Sequence, residues 1–251
     1  MTQKLELLGL GQADKESLQE KVYAKLRNAI MSGALKPGQP ASIRGLAAAM
    51  GTSPIPVREA LQRLSTERAL EALPNGSVAV PLMTRERFLD LRRTRRLVEG
   101  FATELAADRL TGTDLKSLDR AIAQMARHRA RDNMKELLVA NYELRFTIYR
   151  GAGSATLLPI IESLWLQVGP WFNLALSPSA AQVTVDLQQE AVEALKRRDG
   201  AAARQLVERD LDETAEHVLS YLDGLGEPDR RKPARSTRAE AASRLGPVDA
   251  D

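Results

Sequence analysis

The stretch SIRGLAAAMGTSPIPVREALQRL, residues 42–64, decides the fold. Ser42 is a residue type that caps helix N-termini, and Ile43, Leu46, Ala47 and Met50 follow at i, i+3, i+4 and i+7, one face of a short helix. Gly51 stops it. After the tight Gly51-Thr52-Ser53 turn, Pro54 and Pro56 fall at N1 and N3 of another helix, where their missing N–H groups would find no helical partner anyway. Ser53 is its expected cap. Val57, Ala60, Leu61 and Leu64 repeat the earlier spacing, so two short helices, each apolar on one side, meet across a glycine turn.

Upstream, Ser17-Leu18-Gln19-Glu20 reads as a capping box opening a helix whose stripe is Leu18, Val22, Leu26, Ala29 and Ile30, ended by Gly33 and Lys36-Pro37-Gly38. Downstream, Leu70–Pro74, Asn75-Gly76 and Ser77–Val80 read as a β-hairpin, because Asn-Gly is a strong short-turn signal. From Thr84 to about Leu225 the pattern is helical, with breaks at Thr111-Gly112, Asp132-Asn133, Gly151-Ala152-Gly153, Ser177-Pro178-Ser179 and Asp199-Gly200; six helices follow. The expected fold is mainly α: a winged helix-turn-helix over 15–82, then an all-α antiparallel bundle over 83–225 that binds an effector and dimerises. A loose tail is expected over 1–14, and the polar, Pro-containing 226–251 is expected to be disordered.

Composition narrows the chemistry. The chain has no cysteine and only two histidines, His128 and His217, which removes thiolate catalysis and Cys-ligated zinc and leaves little for histidine-rich metal sites. Hydrophobic residues are 43 % of the chain, yet no apolar run approaches the roughly 18 residues that span a bilayer. The N-terminus lacks a signal-peptide pattern, so a soluble cytoplasmic protein without a membrane partner is expected. Residues 1–80 hold ten basic and seven acidic side chains, against 20 and 21 in 81–225, so the net positive charge lies at the helix-turn-helix end and weakly favours a polyanion there.

In a helix-turn-helix the second helix buries one side and offers the other to the major groove. Here the offered side carries Arg58, Gln62 and Arg63, with Ser53 at the helix N-terminus, where backbone N–H groups favour phosphate. The arginines either grip guanine edges, neutralise phosphates, or are ordinary solvated charges.

The segments Gly33–Gly38, Ser42–Leu46, Gly51-Thr52-Ser53 and Pro56–Leu64 together resemble the DNA-binding domain of GntR-type regulators. The resemblance implies that Arg44, Ser53, Ile55, Arg58 and the wing residue Gly76 approach DNA. Pro54 stands where the family usually has an arginine, so that base contact is either absent or supplied elsewhere, and Arg68 replaces the usual glycine just after the recognition helix.

In the helical part, polar residues interrupt apolar stripes: Arg95 beside Phe88, Leu91, Val98 and Ala102; Asn141 and Arg145 beside Leu137, Leu144 and Ile148; Gln188 beside Ala191, Val192 and Leu195; and Asp210 after Leu206 and Val207. Buried charge needs a partner. Either these groups satisfy one another, for example as an Arg145–Asp210 ion pair, or they line a ligand pocket. Residues 84–224 resemble the ligand-binding domain of the FadR branch of the family. That resemblance implies a metal site of one Asp and three His aligned with Asn141, Arg145, Gln188 and Asp210; all three histidines are missing, so no metal cofactor is expected, with Glu213 and His217 at i, i+4 as the only remnant. Arg95 and Arg145, with Asn141 and Gln188, suit a small carboxylate. Tyr149, Trp165 and Trp171 either pack in the core or lie against the rest of the ligand.

The expectation is thus a homodimeric repressor on a pseudo-palindromic double-stranded operator, released by a small carboxylate. The alternative is a winged-helix protein-interaction module with a structural, ligand-free bundle. An enzyme is not expected, since the chain shows no nucleophile–base pair or phosphate loop.

Overall fold

The computed structural model describes residues 18–175 and 177–225, without the side chains of 178–180. The expectations for both tails, and for the Ser17 half of the capping box, lie outside the described residues. Helices α1 (Leu18–Met31), α2 (Ile43–Met50) and α3 (Pro54–Thr66) precede two short strands, β1 (Glu71–Ala72) and β2 (Val78–Ala79). Six helices follow among the described residues: α4 (Arg85–Arg109), α5 (Gly112–Arg129), α6 (Met134–Gly151), α7 (Leu157–Ala175), α8 (Pro178–Lys196) and α9 (Gly200–Leu225).

The expected caps operate where the side chains can reach. Ser42 Oγ accepts from the Gly45 amide at 3.0 Å, and Gly51 closes α2 in the left-handed conformation, φ 63°, which lacks a steric cost only for glycine. Thr84 caps α4, Thr111 and Asp114 form a reciprocal capping box on α5, and Asn133 caps α6. Ser53 departs from expectation: it holds the N-cap position of α3, but its side chain makes no capping bond.

The head core gathers Val22, Leu26 and Ile30 of α1 with Val57, Ala60, Leu61 and Leu64 of α3. Leu18, the first residue of α1 and expected on the same stripe, is 58 % exposed. The wing is antiparallel, with Glu71 opposite Ala79 and Ala72 opposite Val78. Its turn differs from the two-residue Asn-Gly loop: Leu73 N–H donates to Ser77 O at 2.8 Å, which leaves Pro74, Asn75 and Gly76 as a three-residue loop with Gly76 at φ 75°. Ala41, from the α1–α2 connection, bridges to Val78 and fixes the wing to the head.

Arg68 explains the glycine usual at its position. It follows the C-cap Glu67 with φ 59°, a left-handed conformation that costs an L-residue about 1–2 kcal/mol. Glycine would relieve that strain but lose about 0.5–1 kcal/mol to its greater unfolded-state freedom. Arg68→Gly is therefore expected to stabilise the protein by about 0.5–1 kcal/mol in urea denaturation; a loss of stability would mean that the Arg68 side chain contributes more than the structure shows.

The bundle core, from Ala102 and Leu118 to Phe146, Ile148, Trp165 and Leu195, is joined to the head through α7. Leu166 of α7, 1 % exposed, lies in the head core. Ser163 Oγ donates to the Glu67 carbonyl at 3.0 Å, and Asn173 Nδ2 donates to the Met31 carbonyl at 2.7 Å. Helix α7 thus serves as the platform on which the head rests.

Candidate nucleic-acid interface and effector site

The apolar side of α3 is fully used inside the head, with Val57 and Leu64 both at 0 % exposure. That burial turns Arg58 and Gln62 outward, and Arg44 on α2 is exposed as well. Neither Arg44 nor Arg58 has an intramolecular partner among the described residues. At the entrance of α3, Ser53 and Pro54 are exposed and Ile55 is 67 % exposed, a large cost in water for an isoleucine without a covering surface. Gly76 is exposed at the wing tip.

Arg63 does not join this group. Its guanidinium stacks on the Tyr23 ring at 3.8 Å and pairs with Glu20 at 3.1 Å and Glu67 at 3.3 Å. The same Glu67 accepts from the Tyr23 hydroxyl at 2.7 Å; burial, then the bond to Glu67, pushes the tyrosine pKa well up. Arg63 is therefore a brace between α1 and α3, and its expected base-reading role is withdrawn. Sequence spacing placed it on the right helix, but the position of α1 engages it.

In the bundle the expected residues form one continuous polar network. Arg95 and Glu99 are a buried pair on α4, with the Arg95 guanidinium near the rings of Trp165 and Phe172 at 5.1 and 5.2 Å. Glu99 also accepts from the Tyr149 hydroxyl, and Arg145 Nη1 donates to that hydroxyl at 3.3 Å. Arg145 Nη2 donates to Asp210, which accepts from Gln188 Nε2 at 3.1 Å; Gln188 reaches Asn141 Oδ1 at 3.4 Å. Glu99 escaped the sequence reading, although its i+4 spacing from Arg95 was a usable signal.

Desolvation governs the electrostatics here. Burial pushes the Asp210 carboxyl up, and the Arg145 charge pulls it back only in part. Burial opposes the Arg145 charge, but Tyr149, Asp210 and Glu99 together hold its pKa above the ordinary value. Burial and Glu99 push Tyr149 up. Arg95, Arg145, Asp210, Asn141, Thr184 and Trp165 are among the residues lining a cavity of about 30 Å³, where one water needs about 10–15 Å³. Around it Arg145 Nε, Gln188 Oε1 and Asp210 Oδ1 have no partner among the described residues.

Two family models match this chain: the gntR family of bacterial regulatory proteins over residues 18–80, and the FCD domain over residues 90–213. The HTH-type transcriptional regulator McbR of Escherichia coli strain K12 is 30 % identical over 199 residues, covering 78 % of this chain and 90 % of McbR. The chain belongs to the GntR family. This GntR regulator also matches the solved structure of E. coli McbR/YncC with a TM-score of 0.76 at 27 % identity, over 85 % of this chain and all of that one. A putative GntR regulator from Rhodococcus sp. RHA1, at 24 % identity and TM-score 0.69 over 82 % of this chain and 99 % of that one, shares the fold. These findings make the protein a transcriptional regulator with an FCD ligand-binding domain, in a family whose members bind DNA and small-molecule effectors.

The family's metal does not fit the residues this GntR regulator places at that position. Asn141, Arg145, Gln188 and Asp210 offer one carboxylate and two amides, and a guanidinium already bonds the carboxylate. A divalent cation there would face the Arg145 charge directly. Glu213 is exposed and pairs with Arg209. Among the described residues no helix is long and apolar enough to cross a membrane.

Proposed function

We propose that this regulator is a homodimeric repressor whose two heads bind a pseudo-palindromic operator and whose bundle releases DNA on binding a small carboxylate. The exposed set Arg44, Ser53, Ile55, Arg58, Gln62 and Gly76 supports the DNA half: arginine and glutamine suit base edges, Ile55 suits a thymine methyl, and the unused Ser53 hydroxyl suits a phosphate. The missing arginine at Pro54 makes Ile55 and Arg58 the main readers at this helix end.

The effector half rests on one observation: two buried guanidiniums, Arg95 and Arg145, line a cavity whose walls hold unpartnered polar atoms. Both arginines are now paired, so a carboxylate enters by taking the place of Asp210 on Arg145. The raised Asp210 pKa sets the sign of pH dependence. A proton on Asp210 neutralises the displaced carboxyl, so effector binding takes up a proton and strengthens as pH falls toward that pKa.

The Arg145–Asp210 bond itself favours a second reading, in which the network only holds the bundle together. A thermal-shift screen of small aliphatic carboxylates separates the two. A rise in melting temperature that is larger at pH 6 than at pH 8, and absent in Arg145→Met/Asp210→Leu, is the expected result. No response to any acid at either pH leaves the purely structural reading.

A further inference from the structure

A larger cavity, about 320 Å³, lies between the head and the bundle, in the size range of small-molecule sites. The end of α1 and the turn after it supply Met31 and Ser32, α6 supplies Leu138, Val139 and Asn141, and α7 supplies Trp165. Leu138, Asn141 and Trp165 also line the inner 30 Å³ cavity, so the two spaces share a wall. We infer that this outer cavity is a second ligand site, for a molecule with an apolar body and a hydrogen-bond acceptor at one end, and that its occupant acts on the head by touching α1.

The ligand class follows from what the shared wall leaves unmet. Asn141 accepts from Gln188 through its oxygen, and its amide N–H groups have no acceptor among the described residues. These amide N–H groups, on the cavity lining and without an acceptor, ask for a carbonyl, carboxylate or sulfonate oxygen. Around them Met31, Leu138 and Val139 offer apolar surface. At the rim Lys135 is exposed and has no ion-pair partner among the described residues, while Arg27 is held by Tyr142 at 2.9 Å and Glu162 at 3.6 Å.

The regulatory consequence comes from Met31. Its thioether lies directly against Gly169 of α7, where an added Cβ would come within 2.8 Å of the sulfur, so the Met31 side chain links the end of α1 to α7. Its carbonyl is held by Asn173. A ligand that presses on Met31 therefore shifts the last turn of α1, the helix that Arg63 braces to the recognition helix. No signal has to cross the bundle.

The test uses 8-anilinonaphthalene-1-sulfonate, an aromatic body with a sulfonate acceptor, on the full chain. Saturable binding at one site per chain is expected, with slowed amide hydrogen exchange over residues 27–33, the end of α1 and the turn after it. Val139→Trp and Ser32→Trp fill the cavity from opposite walls at exposed positions, and each is expected to weaken the dye by about tenfold or more. Should one of them fail to fold, the other decides. Arg145→Met/Asp210→Leu, which alters only the inner cluster, is expected to bind the dye as the natural chain does. Unchanged binding in the folded tryptophan variants overturns the site, as does lost binding in the inner double variant. Bound dye with unchanged exchange in α1 overturns the action on the head. These outcomes are independent of the carboxylate reading, which stands or falls on the inner cluster.

Discussion

Asp210→Ala is expected to lower the free energy of unfolding by about 3–5 kcal/mol, because it leaves the Arg145 guanidinium buried without its carboxylate. Taking both charges away reverses most of that loss. Arg145→Met/Asp210→Leu fills similar volume with apolar atoms and ends within about 1–2 kcal/mol of the natural chain, on either side. Urea denaturation of the three proteins checks this, and the difference between single and double variant is the informative quantity. A single-variant loss below about 1 kcal/mol would show that water reaches Arg145 when Asp210 is gone, and that the cluster is more open than its burial indicates. Glu99 and Tyr149 limit the loss, since both remain beside Arg145 in the single variant.

Arg58→Ala is expected to weaken operator binding by about 1–3 kcal/mol per half-site, with sequence preference relaxed at the contacted base. If two heads bind one operator, as proposed, this approaches complete loss in a gel shift on DNA from the protein's own promoter region. Arg63→Ala serves as the contrast. It removes a brace between α1 and α3 rather than a reader, so it reduces thermal stability and leaves the base preference unchanged. The reverse outcome, altered preference with Arg63→Ala and none with Arg58→Ala, would mean that the head presents a different edge of α3 to DNA.

The head was largely legible in the sequence because its signals are local. Ser42, Gly51 and the two i, i+3, i+4, i+7 stripes act within a few residues, and each acts through backbone geometry or one-sided burial. The six bundle helices were legible for the same reason, their breaks falling on caps such as Thr111 and Asn133. The wing turn was read one residue short, because Asn75-Gly76 is compatible with more than one loop and the Leu73–Ser77 bond decides among them. Arg68 was visible as an anomaly, but its meaning required the backbone angle.

Pairing was what the sequence left open. Periodicity put Arg95, Arg145, Gln188 and Asp210 on buried faces, since a stripe position is a property of one helix. It left two outcomes for Arg145 and Asp210, which are 65 residues apart in the chain, and only the packing of both α6 and α9 on α4 brought their side chains together. Arg63 likewise changed from reader to brace once α1 was laid beside α3. The outer cavity has no sequence signature at all, because its walls come from three helices of two differently packed parts. The sequence by itself determined which residues are helical, which faces are apolar and which family the head resembles, because those follow from local spacing. Tertiary structure alone decided which buried charges meet and where empty space remains, because both depend on how separate helices are placed against one another.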